Sequence, residues 1–400
     1  MNNWRKALKA LITCSIILLL LMTTSRGVEI KDEDEAINIE EELENIKNSQ
    51  NELVDYSNIQ QAIDQTVQNS YEFDFEKLVT NILSGQYELE GETIGSMIFE
   101  AFFEDMKANI GILIRIIIIS IIAAFFKSFT QSFENKQVSE MGFLIVFLLV
   151  IASVIQSYHL LNSVANGLID NLLIFIEALV PSLLTVTVLS GAATSSVMFS
   201  ETMIMLIGII DNLIKTFMLP FLYIIIIFVV LNTLTDEDSL SKIIDIFKKG
   251  YEWAIKIILW IFVAMFGLQS FGLPVVDGMI SRTAKQTIGI VPIIGTTISG
   301  MSDIVLGCGS LIKNAFGIGA IIAIVFVAVI PVIKIGVIAF IYKLSAALIE
   351  PISESKLVSC LSNVGDVCFL LLGTVLIVVL LFIIAIAMTL FLTNIMLYIR

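Results

Sequence analysis

The 400-residue sequence is poor in the groups that carry catalysis: it has one histidine, four cysteines and only 15% charged residues. Each scarcity excludes something. A lone His159 leaves no His-Glu-x2-His zinc site, and there is no phosphate-cradling Gly-x4-Gly-Lys-Ser/Thr and no Gly-x-Ser-x-Gly nucleophile turn. No enzymatic activity, ATP hydrolysis, metal or cofactor is therefore expected. Cys14, Cys308, Cys360 and Cys368 form neither Cys-x-x-Cys nor a Cys/His metal spacing, and read as small buried residues. Polar sequence is scarce as well. With 57% hydrophobic residues and a mean hydropathy of +0.94, the chain lies outside the range of soluble globular proteins, and a phospholipid bilayer is its expected solvent.

What charge there is lies unevenly. Val28 to Lys107 carries 21 Asp/Glu against 4 Lys/Arg, whereas Ala108 onward has 16 acids and 15 bases. So acidic a segment is repelled by anionic lipid and by nucleic acid, and reads as a solvated or partner-binding domain. Residues 1–27 resemble a signal peptide: basic Arg5, Lys6 and Lys9, the apolar run LITCSIILLLLM, and small residues at Ser25 and Gly27. Cleavage is expected after Gly27, an uncleaved anchor being the alternative; in both cases Val28 onward is exported. Residues 28–107 then form an acidic helical extracytoplasmic domain. Ile39, Leu43 and Ile46, then Ile59, Ile63 and Val67, recur at helical spacing as a narrow apolar stripe that needs a partner surface. A turn is expected at Ser84-Gly85, followed by a helix leading into the first span.

The expected fold is all-α and polytopic over residues 108–400. Runs of about 20 apolar residues occur at 108–126, 141–160, 168–189, as a pair within 197–231 pivoting near Pro220, and at 254–273, 315–342 and 367–399, about eight spans in all. Basic loops favour the cytoplasm, which suits Lys127, Lys136, Lys242, Lys248 and Lys249 with the acidic domain outside. Between Pro274 and Asn314 lies a segment too apolar for a loop and too broken by Gly, Ser and Thr for a span. Irregular backbone at membrane depth survives only where protein or water satisfies it, so a re-entrant pair of half-helices joined around Pro292 and Gly295 is expected. VPSLLTVTVLSGAATSS (180–196) shares Val-Pro, threonines and Ser-Gly with VPIIGTTISGMSDIVLG (291–307), a loose repeat that chance also explains.

Ionisable residues inside spans are costly and normally face a bundle interior or a cavity. Here they are Arg115, Asp170, Glu177, Glu201, Asp211, Lys215, Lys256 and Lys334. Asp211 and Lys215, four apart, are expected to pair on one helix face. Glu177 lies one turn before Pro181 and Lys334 follows Pro331, so proline-released carbonyls and water could solvate both as pathway residues.

The run RTAKQTIGIVPIIGTTISGMSDIVLGCGSLIKNAFG resembles the stage III sporulation protein AE family of endospore-forming bacteria. Its pattern matches at Arg282, Thr283, Ala284, Lys285, Pro292, Gly295, Asp303, Gly307, Lys313, Asn314 and Gly317, and departs at Thr296 and Gly300. PSLLTVTVLSG, KKGYEWAIKIILWIFVAMFGLQSFG and LIEPISE follow in the expected order. The resemblance implies membership of a multiprotein complex, with other stage III sporulation protein A operon products, in the mother-cell membrane facing the forespore. That assembly is described as a secretion-like channel or feeding tube supporting late forespore gene expression. Lys285, Pro292, Gly295, Asp303, Gly307, Lys313 and Asn314 become, with Glu177, Pro181 and Lys334, candidates for a pathway or gate. A stand-alone permease and a purely structural anchor are the competing expectations.

Overall fold

A computed structural model describes residues 56–66, 73–85, 91–132, 136–190, 193–234, 240–288 and 294–399. Side chains are described within these stretches except at 91–97, 126–132, 136–140, 143, 189, 193–196, 269–288, 294–308 and 392–399. The chain divides into two units, 1–53 and 54–400, and everything described lies in the second. The signal segment, the first stripe residues Ile39, Leu43 and Ile46, and Val67 fall outside the described residues.

The described residues are helical and contain no strand. Two short helices come first, α1 (Tyr56–Thr66) and α2 (Phe75–Leu83). Asp74 caps α2 by accepting from the Lys77 N–H at 2.9 Å, satisfying one of the donors a helix start leaves open. The Gln60 amide ties the two together: it donates to Phe73 O at 2.6 Å and accepts from the Phe75 N–H at 3.0 Å. Chain reversal follows at Ser84-Gly85 as expected, with Gly85 at φ +65°, a conformation that costs glycine nothing.

Long helices follow: α3 (Gly91–Ser132), α4 (Lys136–Leu189), α5 (Ala193–Leu213), a π turn (Ile214–Met218), α6 (Leu219–Leu234), α7 (Ser241–Ile288), α8 (Ile294–Ile349) and α9 (Ser355–Ile399). Six stretches among the described residues are long and apolar enough to cross a membrane, not eight: 98–125, 144–188, 197–234, 241–268, 309–349 and 355–391. Two expected breaks are missing. The runs 141–160 and 168–189 are one helix, because the polar residues between them recur at helical spacing and continue the helix rather than ending it. Nor does the chain pivot near Pro220. Proline lacks an N–H, which leaves the Thr216 carbonyl without its usual donor. The helix widens instead, the Leu219 N–H reaching back five residues to Ile214 O, and continues into α6.

The segment between the last two long spans also differs from expectation. Residues 274–288 and 294–314 are the unbroken ends of α7 and α8 rather than separate half-helices, and 289–293 lie outside the described residues. Pro292 itself lies outside the described residues.

The core is built on α8 against α9. Ile335, Ile338, Ala339 and Tyr342 of α8 and Leu371, Val375, Ala385 and Ile386 of α9 are all fully buried. The Tyr251 hydroxyl of α7 meets Thr374 Oγ1 of α9 at 2.6 Å in the same core. Facing away from it, α3 exposes Ile110, Ile114, Ile118, Ile121 and Phe125, and α7 exposes Trp253 and Trp260. Such faces suit lipid, whereas Ile59, Ala62 and Ile63 of α1 and Phe75, Leu78 and Val79 of α2 are buried on the bundle. Phe75 packs edge-on against Phe316 of α8 at 5.4 Å between centroids, and Phe73 stacks on Phe326 at 4.6 Å. The described part of the stripe, Ile59 and Ile63, is thus covered by the chain itself and needs no other protein.

Candidate functional site

Where α4 meets α5, the expected Asp211–Lys215 pair is present and has a third member. Lys215 Nζ lies 2.8 Å from Asp211 Oδ1 and also donates to Asp170 Oδ1, 45 residues earlier on α4. The one-turn spacing makes the first contact local, and helix crossing makes the second. Lys215 belongs to the π turn, whose widened backbone sets the angle at which its side chain leaves the helix. Exposure divides the two acids, Asp211 side chain 11% and Asp170 58% exposed, with Lys215 at 21%. Two carboxylates share one ammonium, so the cluster carries one net negative charge.

The same side of α4 holds two further polar contacts. His159 Nδ1 and the Tyr223 hydroxyl of α6 are 3.2 Å apart, and Tyr158 packs edge-on against Tyr223 at 4.6 Å. Toward the other end, Glu177 and Pro181 line a cleft of about 440 Å³ with Asn58, Gln61 and Gln65 of α1. Pro181 cannot donate to the carbonyl four residues back, which is that of Glu177. The pairing of Glu177 with water expected there is geometrically possible, since the cleft is open and Glu177 is exposed. Lys334 is not brought to the same place. It lies on α8 within electrostatic reach of Asp105 of α3, which makes it a partner in an α3–α8 contact.

In the segment carrying the family pattern, Lys285 lies on α7, and Gly295, Asp303 and Gly307 lie on α8, with side chains outside the described residues. Lys313 and Asn314 are described. Lys313 is fully buried, the only charged side chain among the described residues to be so. Burying an ammonium costs several kcal/mol unless its neighbours compensate, so this position is under strong constraint. Gly317, one turn further on, packs where a Cβ would come 2.3 Å from Leu390 Cδ1 of α9. The glycine is there so that α9 can approach.

A second ionic junction was not foreseen. Asp366 of α9 bridges Lys343 of α8 at 2.7 Å and Lys248 of α7 at 3.6 Å. Lys248 also donates to Asn363 and Lys343 to Ser362, both at 2.9 Å. Gly365 makes room for the Lys343 stem, which would lie 3.0 Å from a Cβ there. Lys248 reads alone as a cytoplasmic loop charge; only the convergence of Lys248, Lys343 and Asp366 from three helices reveals a joint. Among the described residues no group of His, Cys, Asp or Glu could hold a metal ion.

The family model for "Stage III sporulation protein AE" matches residues 73–393. The protein of that name from Bacillus subtilis (strain 168) is 28% identical over 229 residues, which cover 57% of each chain. The chain therefore matches little more than half the length of that curated relative. No solved structure matches. The family match begins just before α2 and ends within α9, taking in α2, the long helices and both ionic junctions, and by its extent the chain belongs to the stage III sporulation protein AE family.

Proposed function

We propose that this chain is a membrane subunit of a sporulation-specific, secretion-like channel complex between mother cell and forespore, acting without catalysis or cofactor. The family membership carries the sporulation role. The six apolar stretches supply the multipass membrane character, and the ionic groups inside them, rare in hydrocarbon, support a polar passage or a seal within the bundle. In this reading the subunit lies in the mother-cell membrane with Val28 onward exported, and the residues of the family pattern from Lys285 to Asn314 contribute to a gate. Because the described stripe residues are covered by the bundle, partner docking falls to the acidic residues preceding Tyr56.

Recovery of the other stage III sporulation protein A operon products with an affinity-tagged copy, from sporulating cells in mild detergent, is the expected result. A chain that purifies without them from correctly localised membranes would overturn the reading. The stand-alone permease built on Glu177 and Lys334 is less well supported, since the two have different neighbours.

A further inference from the structure

The outward face of α3 has a regular order. Ala108, Gly111, Arg115, Ile118, Ile122 and Phe125 are all exposed and succeed one another in alternating steps of three and four, the repeat along which two helices share a seam. Of the six apolar stretches, the one in α3 is the least buried.

Lipid alone would accept apolar side chains along that seam, but two of its residues do not suit lipid. A Cβ at Gly111 would meet nothing within 4 Å, so nothing in the bundle requires the glycine. Glycine costs about 1 kcal/mol relative to alanine in a helix interior, and in membranes small residues mark close approach by a neighbouring helix. Arg115, one turn further on, lies ten residues before the stretch ends at Phe125, about 15 Å at 1.5 Å per residue. A guanidinium left in hydrocarbon costs about 2.5 to 3.5 kcal/mol. Among the described residues no carboxylate forms an ion pair with it, and from the bundle side the neutral Tyr342 of α8 comes within electrostatic reach.

The charge indicates what covers the seam. Two copies paired along it in parallel would set Arg115 against Arg115. The acids of this chain's other spans are placed elsewhere: Asp170 and Asp211 hold Lys215, Glu252 pairs with Lys256, Glu177 lines the α1 cleft, and Glu201 is four residues from the start of its stretch. We propose that this seam is the docking face for a transmembrane helix of a different protein, one that approaches closely at Ala108 and Gly111 and carries an aspartate or glutamate level with Arg115. This deepens the reading of the chain as a subunit of a complex and rests on that reading only for the existence of a partner.

The test uses the full-length chain, donor-labelled at its carboxyl end, in phosphatidylcholine vesicles at pH 8, with two acceptor-labelled synthetic leucine-alanine transmembrane helices that carry either glutamate or glutamine at the midpoint. Energy transfer should show the glutamate helix binding about tenfold more tightly than its twin. Arg115→Gln should abolish that difference, and Gly111→Leu, which the bundle has room for, should weaken binding of both helices. Equal binding of the two helices, binding of neither, or a preference that survives Arg115→Gln would overturn the proposal. Energy transfer between differently labelled copies of the chain that disappears in Arg115→Gln would assign the seam to self-association and overturn it as well. Copurification of the operon products is read separately, so failure of the seam and failure of the complex are distinguishable.

Discussion

Lys215 is the residue on which most depends, because the second acid changes what its substitution does. With Asp211 alone, exchanging the two charges would leave a pair of the same strength. With Asp170 also bound, exchange places an acid at 215 facing Asp170, and Asp211→Lys/Lys215→Asp is expected to lower the yield of folded protein sharply. Lys215→Met strands two carboxylates and should cost roughly 2 kcal/mol, less than a fully buried pair because Asp170 is largely solvated. Asp170→Asn removes the surplus charge and leaves the local pair, so it should be tolerated. Fluorescence-detected gel filtration of heated, detergent-solubilised variants reads the order: wild type and Asp170→Asn together, the other two well below. A Lys215→Met chain as stable as wild type would show that the contact to Asp170 is not formed.

At Gly317 the expectation is equally specific. A methyl group there meets three atoms of Leu390 within 2.7 Å, and overpacking of this kind typically costs about 1 to 3 kcal/mol. Gly317→Ala should lower thermal stability, and adding Leu390→Ala should recover part of the loss by opening the space. Absence of any recovery in the double variant would mean that the two positions do not touch. Gly317 belongs to the family pattern with Lys313 and Asn314, and its reason for being glycine lies on another helix about 70 residues away, which no local reading of the sequence supplies.

Among the elements, α2 has the clearest dependence on its seat. Its buried Phe75, Leu78 and Val79 are each worth about 1.5 to 3 kcal/mol when fully removed from water. They rest on Gly319 of α8, where a Cβ would lie 2.9 Å from Val79 Cγ2. A larger side chain has no room, so Gly319→Leu should lift α2 from the bundle while leaving α8 helical. Trypsin cleavage at Lys77, slow while α2 is seated, is expected to rise about tenfold for each 1.4 kcal/mol of lost docking. Unchanged cleavage would mean that α2 is held elsewhere.

The α4 helix shows why elements were harder to delimit than to detect. QSYHLLNSVANGLIDN, at 156–171, is polar enough to resemble a connection between two spans. Most of its polar residues nonetheless face one side, while Ser157, Tyr158, Leu161, Ala165, Leu168 and Ile169 are buried. Average hydropathy cannot distinguish a loop from a helix with one wet face, because it discards direction. The π turn beside Pro220 escaped for a related reason: proline announces a missing hydrogen bond, but whether the helix bends, breaks or widens depends on what packs around it.

For the whole molecule, one crossing by each of the six apolar stretches would put the connections after α3, α6 and α8 on one side. Lys127 and Lys136, then Lys242, Lys248 and Lys249, then Lys343 and Lys356 lie beside those connections, in accord with the preference of basic residues for the cytoplasm. Six crossings starting outside also finish outside. A reporter fused after Tyr398 should be active only in its exported form, alkaline phosphatase on and a cytoplasmic fluorophore off. The opposite pattern would require an odd number of crossings.

Composition and pattern alone determined that the chain is helical, membrane-borne and a member of a sporulation family, and that Asp211 and Lys215 would face each other. Those outcomes follow from the apolar content, from helical periodicity and from a local motif, all of which act over a few turns of chain. Tertiary structure decided the rest: six long apolar stretches among the described residues in place of about eight shorter ones, Asp170 on Lys215, Asp366 between two lysines, and α2 seated at Gly319. Each of these depends on residues far apart in sequence meeting at a helix crossing, where close packing and paired charge, rather than local propensity, choose the partner.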